Sequence, residues 1–251
     1  MRFRDKVVWV TGASSGIGEA VAVAFSREGA KLILSSRNAV ELERVRKTCA
    51  GDGHRVVPLD LTRPDTFPAV GDVDVLVHSG GVSQRSLAID TDLATDRAIM
   101  ELDFFGTVAL TKAVLPSMLA RKSGHIVPIS SVVGYVGTPL RSTYAAAKHA
   151  LHGFFDSLRA EVAKDGILVT IVCPGYIRTN VSRNALTGNG TPLGTMDPTH
   201  EHAMLPEECA RRIVNAVASR KQEVVIGGKE KWAVPLKRFF PGVVARMVRM
   251  K

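Results

Sequence analysis

The chain has 251 residues, with 33 lysines and arginines against 24 aspartates and glutamates, a formal net charge of +9. A composition of 45% hydrophobic and 23% charged residues is globular and excludes disorder for the chain as a whole, and the length suits one large domain or two small ones. Three scattered cysteines, Cys49, Cys173 and Cys209, exclude a disulfide framework and a four-thiolate zinc site. With no signal-peptide pattern in the opening residues and no apolar run of about 18, the expected location is cytoplasmic.

An apolar run at 6–10 predicts the first strand, closed by a Gly-rich turn. Ile17, Ala20, Val21, Ala24 and Phe25 recur at helical spacing and predict a helix over 17–28. A strand at 32–34, a helix at 38–49 and strands at 55–59 and 73–77 follow. Residues 60–72 must join those last two strands, and a parallel crossover needs about a dozen residues, so any helix there is stubby. Next come a long helix at 92–120, a strand at 125–129, a helix at 143–164, a strand at 167–172, a helix at 206–219 and a strand at 223–226. Continuously apolar strands alternating with helices indicate an α/β fold, one doubly wound parallel sheet of about seven strands with helices on both faces. The aperiodic segment at about 180–204, rich in Gly, Thr, Asn and Pro, is expected to be a substrate lid. The domain proper is read as 1–228, followed by a tail at 229–251.

Thr11-Gly12-Ala13-Ser14-Ser15-Gly16-Ile17-Gly18 lies between the first strand and the first helix. Glycines there allow a tight turn and close approach of a pyrophosphate to helix-N-terminal amides. The spacing T-G-x-x-x-G-x-G resembles that of the short-chain dehydrogenase/reductase family, and other motifs of that family follow in order. Asp60-Leu61 resembles its adenine-contacting element. Tyr144-Ala145-Ala146-Ala147-Lys148 matches its Y-x-x-x-K pair, and Ser131 stands where its catalytic serine does. Pro174-Gly175-Tyr176-Ile177-Arg178-Thr179 resembles the turn that holds the nicotinamide carboxamide. The resemblance covers residues 6–226 and implies a Rossmann fold with Ser131, Tyr144 and Lys148 as catalytic residues. It also implies a dinucleotide held by Gly12, Ser14, Ser15, Gly16, Ile17, Gly18, Asp60, Leu61, Ser79, Gly80, Gly81, Tyr144, Lys148, Pro174, Gly175, Ile177 and Thr179. Relatives suggest a homodimer or homotetramer built on the helices at 92–120 and 143–164.

Two positions depart from the family pattern. His78-Ser79-Gly80-Gly81 stands in place of N-N-A-G, and Asp103 occupies the position of the family's catalytic asparagine, which holds a helix distortion and a water linked to the lysine. Either an altered proton relay operates through Asp103 or activity is reduced.

A tyrosine hydroxyl titrates near about 10 and exchanges protons poorly at neutral pH; a lysine cation one helical turn away favours its anion. Ser131 can hydrogen-bond the substrate oxygen and orient it. Cofactor choice is read from the end of the second strand. An NAD site places an acid there, whereas Ser35-Ser36-Arg37-Asn38 offers Arg37 and Ser36 to a 2′-phosphate, which points to NADP(H). Val133, Tyr135, Val136, Pro139, Leu140 and Tyr176 are expected around the substrate, which is therefore read as a hydrophobic carbonyl or alcohol.

Of the +9, the tail carries +6, from seven basic residues and the acid Glu230. Its interleaved Trp232, Phe239, Phe240 and Met247 suggest peripheral membrane contact, with folding over the substrate pocket or packing between subunits as alternatives. Nucleic acid is not expected as a partner. The reading is an NADP(H)-dependent oxidoreductase; the alternative is a weakly catalytic NADP-binding protein recruited through its tail. His200 and His202, an H-x-H pair, are read as surface histidines rather than metal ligands.

Overall fold

The structure is a computed structural model that describes residues 1–197 and 203–249; His200 and His202 lie outside them. Six parallel strands form one sheet in the order β3-β2-β1-β4-β5-β6. They are β1 (Val7–Thr11), β2 (Lys31–Ser35), β3 (Arg55–Val56), β4 (Val75–His78), β5 (Gly124–Pro128) and β6 (Ile167–Val169). β7 (Ile171–Pro174) pairs in parallel with β8 (Glu223–Ile226). A bridge from Ile129 to Val172 carries the end of β5 on to β7.

The strand expected at 167–172 is thus split at Thr170. There the amide donates to Ile126 O (2.9 Å), the hydroxyl donates to Lys221 O, and His125 Nε2 meets the same hydroxyl at 2.7 Å. The chain therefore turns from one neighbour to the next instead of pairing with both along its length. Between β3 and β4 the expected short helix is reduced to a single 3₁₀ turn, Pro64–Thr66.

Alternation within the strands sends side chains to both faces. Val8, Val10, Leu32, Leu34, Val75 and Val77 meet α1 (Gly16–Arg27) and α6 (Pro206–Ala218), while Trp9, Ile33, Leu76 and Ile126 meet α4 (Gly106–Arg121) and α5 (Ser142–Glu161). Full burial of such side chains stabilises the fold by about 1.5–3 kcal/mol each. α2 (Ala39–Thr48) starts where Asn38 Oδ1 accepts from Glu41 N at 3.1 Å, an N-cap that fixes the end of β2. The long helix expected at 92–120 is α3 (Leu93–Met100), a π turn at Glu101–Phe105, and α4. The tail forms a 3₁₀ turn at Lys229–Trp232, α7 (Ala233–Phe239) and α8 (Pro241–Met247). Because β2 and β4 flank β1 on opposite sides, the strand order reverses at β1, and a crevice opens beyond its carboxyl end.

Candidate active site

A cavity of about 480 Å³ occupies that crevice. At one end the chain between β1 and α1 supplies Gly12, Ser14 and Ser15, and the first turn of α1 supplies Gly16, Ile17 and Gly18; Ser36 and Arg37 follow from the end of β2, then Asp60 and Leu61, and Ser79, Gly80 and Gly81 after β4. The cradle is tight. Gly12 has φ +64°, and a Cβ there would stand 2.6 Å from Ser79 O; a Cβ on Gly18 would stand 2.2 Å from Gly12 O. Only glycine allows both the turn and this packing. Arg37 forms no ion pair among the described residues, whereas nearby Arg44 is held by Glu19 (2.8 Å) and Glu41 (2.7 Å). Asp60 turns its carboxylate to its own loop, where Oδ1 accepts from Thr62 N and Oγ1 at 2.9 and 2.8 Å, and these contacts hold its pKa below the usual range.

At the other end lie Asp103, Ser131, Val133, Tyr144, Lys148, Pro174, Gly175, Tyr176, Ile177 and Thr179. Ser131 Oγ donates to Pro174 O (3.3 Å) and accepts from Val133 N (3.1 Å), so one hydroxyl joins the β5 and β7 ends. Lys148 follows Tyr144 by one turn of α5, with Nζ 5.5 Å from the tyrosine ring centroid. That Nζ also lies 3.2 Å from Asp103 Oδ2 and donates to Ile129 O at 3.3 Å.

Asp103 is fully buried in the π turn, and its other oxygen, Oδ1, accepts from Val82 N at 2.7 Å. The turn therefore coincides with the residue at the asparagine position. Burial pushes the Asp103 carboxyl upward, with Lys148 pulling against it. Burial would lower the Lys148 pKa, but Asp103 and Tyr144 outweigh it and hold the ammonium above its ordinary value. A Cβ on Gly81 would sit 3.0 Å from Asp103 Oδ2, so the glycine-rich floor and the ion pair are packed against each other.

Of the residues expected around the substrate, Tyr135, Pro139 and Leu140 do not line the cavity. Tyr135 instead stacks edge-on with His152 at 4.4 Å, and its hydroxyl lies 3.8 Å from Cys173 Sγ. Val132, Val133 and Val136 line the cavity, while the Tyr135 ring is taken up by its packing on His152 of α5. His152 bonds Ser130 Oγ at 2.9 Å within that packing.

Sequence reasoning missed several groups. Gln84 Oε1 accepts from Thr143 N (2.9 Å) and Tyr144 N (3.4 Å), fixing the start of α5. Arg85, Thr138 and Arg141 line the Tyr144 end. The tail, for which folding over the pocket is one of the alternatives above, supplies Glu230, Ala233 and Val248 to the same wall; Glu230 Oε1 accepts from Tyr176 N at 3.0 Å, and Lys237 Nζ donates to Tyr135 O. Gln84 carries no signal in the sequence, since its two acceptor bonds go to amides 59 and 60 residues away.

Comparison with known proteins agrees with this geometry. Residues 6–189 match the family model described as short chain dehydrogenase. "Dehydrogenase/reductase SDR family protein 7-like" of Anopheles gambiae is 46% identical over 88% of this chain and 74% of its own. "Dehydrogenase/reductase SDR family member 7" of Homo sapiens is 44% identical over 88% and 70%. The solved structure of a short-chain dehydrogenase from Streptomyces avermitilis superposes with a TM-score of 0.80 at 30% identity, covering 97% of this chain and 95% of that one. A Gly-lined cradle, a serine, a tyrosine and a lysine around one crevice thus come with relatives across nearly the whole chain, which belongs to the short-chain dehydrogenase/reductase family of oxidoreductases.

Proposed function

We propose that the protein interconverts a hydrophobic carbonyl compound and its alcohol with NADP(H). The observation that carries this reading is that Ser131, Tyr144 and Lys148 line one end of the cavity whose other end is the glycine turn and Arg37. The residues fit a dinucleotide, since no side chain could enter the cradle at Gly12 without meeting backbone. The nicotinamide, when bound, accepts or supplies the hydride. Tyr144 exchanges the proton with the substrate oxygen, Ser131 positions that oxygen, and Lys148 supplies positive charge beneath the tyrosine. Arg37 and Ser36 receive the 2′-phosphate, with Arg37 offering a planar, permanently charged fork. The alternative of a weakly catalytic binding protein is not favoured by relatives named as dehydrogenase/reductases.

Two variants test the proposal in a panel of ketones and aldehydes. Tyr144→Phe should lower kcat by about 10²–10⁴-fold with cofactor binding retained. Arg37→Asp should reverse the preference between NADPH and NADH, with loss of a charged contact worth about 1.5–3 kcal/mol. NADPH preference surviving in Arg37→Asp would sink the cofactor assignment.

A cytoplasmic protein with peripheral membrane contact through its tail, and pairing of subunits across α4 and α5, belong to the same proposal. What supports the first is an apolar, basic tail surface; what supports the second is Phe105, half exposed beside α4.

A further inference from the structure

The Tyr144 end of the cavity holds a pair of charges that proton and hydride exchange do not use. Arg85, in the loop after β4, and Arg141, at the N-terminal cap of α5, both line it, with side chains only 9% and 14% exposed. Both direct Nη2 at one atom, Oδ2 of Asp197, at 3.2 and 3.5 Å. Arg85 Nη1 also donates to Ser83 Oγ (3.2 Å) and Gln84 O (2.8 Å), and Arg141 Nη1 donates to Thr138 Oγ1 (3.2 Å). Each guanidinium is therefore fixed in place by neighbours on its own loop.

Two cations held together out of water repel strongly. Burial first, and then Arg141, lower the Arg85 pKa, with Asp197 opposing. An apolar wall would be built more cheaply than a pair of desolvated guanidiniums, so packing alone does not account for them. The other carboxylate of this wall, Glu230, accepts from the Tyr176 and Gly228 amides. Each guanidinium has five N–H donors in a planar fork matched to carboxylates. One shared Asp197 oxygen leaves donors and positive charge for a second carboxylate.

We infer that Arg85 and Arg141 form a carboxylate-binding subsite, so that the substrate pairs an apolar body and a reacting carbonyl or alcohol with a carboxylate. Asp197 shows the chemical group that fits, and Arg141 stands three residues before Tyr144, at the same end of the cavity as the proton-exchanging group. The inference rests on the hydride-transfer reading for its chemistry but on the arginine pair for its binding.

The test uses keto-octanoates bearing the ketone at successive positions, each beside its methyl ester, with NADPH oxidation as the readout. The wild-type protein should prefer acid over ester in kcat/KM. Arg85→Met with Arg141→Met should cut that ratio by about ten- to a hundredfold, chiefly through the KM of the acid. Asp197→Asn should keep the preference for the acid. Equal use of acid and ester by the wild type, a ratio surviving in the double variant, or equal loss of the ratio in Asp197→Asn would each overturn the inference, the last by making the arginines a latch for the 180–204 segment. Should no ketone be reduced, the hydride-transfer reading fails. The subsite is then judged by calorimetry with octanoate against octanamide: selective octanoate binding that is lost in the double variant supports it, and absence of selectivity refutes it.

Discussion

At Lys148, a single carboxylate sets how much positive charge reaches the tyrosine beside it. Asp103 Oδ2 lies 3.2 Å from Nζ but has no well-aligned donor, so the pair is held by charge more than by hydrogen-bond geometry. An asparagine at 103 would still accept from Val82 N through its oxygen while removing the opposing charge. Asp103→Asn should therefore shift the pH profile of kcat toward lower pH and raise turnover at neutral pH. Both variants take the counter-charge from the buried ammonium, but Asp103→Ala should destabilise the fold more than Asp103→Asn, by about 1–3 kcal/mol, because the Val82 amide loses its acceptor as well. Steady-state pH profiles beside denaturant melts separate these outcomes. An unchanged profile in Asp103→Asn would show that the carboxylate does not act on proton exchange.

The elements divide into those that periodicity reveals and those that it conceals. The strands and helices around β1 follow from apolar runs and from recurrence at helical spacing, and the glycine turn marks the junction of β1 with α1. The π turn at Glu101–Phe105 is hidden because helical spacing persists on either side of it, and a turn of one extra residue leaves composition unchanged. Its one trace is Asp103, which stands at the position of the asparagine that holds a helix distortion in the family pattern. Closeness to Ser131 in sequence puts Tyr135 near the site, but its partners His152 and Cys173 come from distant parts of the chain and draw its ring away, leaving Val132, Val133 and Val136 on the cavity. The split of the strand at Thr170 depends on side-chain bonds to His125 and Lys221, from other parts of the chain, which no local pattern contains.

Across the whole molecule, groups distant in sequence become one device, and this is why the arginine pair was illegible: residues 85, 141 and 197 have no common motif. Burial also couples the fold to pH. His78 is fully enclosed against Thr111, with Nδ1 unbonded, and burial pushes its pKa down to about 3; burial, with Arg220 adding to it, pushes His125 down to about 4. Both are neutral in the fold but titrate near about 6.5 when unfolded. Their folded pKa values are depressed, so the unfolded chain binds more protons below about pH 6.5. Their contribution is complete above that pH and is lost as pH falls, by about 2 kcal/mol each at about pH 5. Thermal midpoints should fall across that window, and His78→Asn should flatten the decline. The tail acts at this scale too. Val244 is buried, while Trp232, Phe239, Phe240 and Met247 are 60–73% exposed among its basic residues. We expect cosedimentation with phosphatidylserine-containing vesicles that weakens as salt is raised. Failure to bind at low salt would discard the membrane role.

Cys173 ends the segment that leads into Pro174 and Gly175, and it is sealed behind Tyr135 and His152. Burial drives its thiol well above the ordinary range and pushes Cys209, on the buried face of α6, up to about 12. Neither sulfur is therefore a nucleophile in the closed fold, since the thiolate is the reactive form. The folded enzyme carries two silent chemical clocks. An alkylating reagent can strike them only when the packing around β7 or the α6 face parts, so the rate of modification measures how often each of those openings occurs.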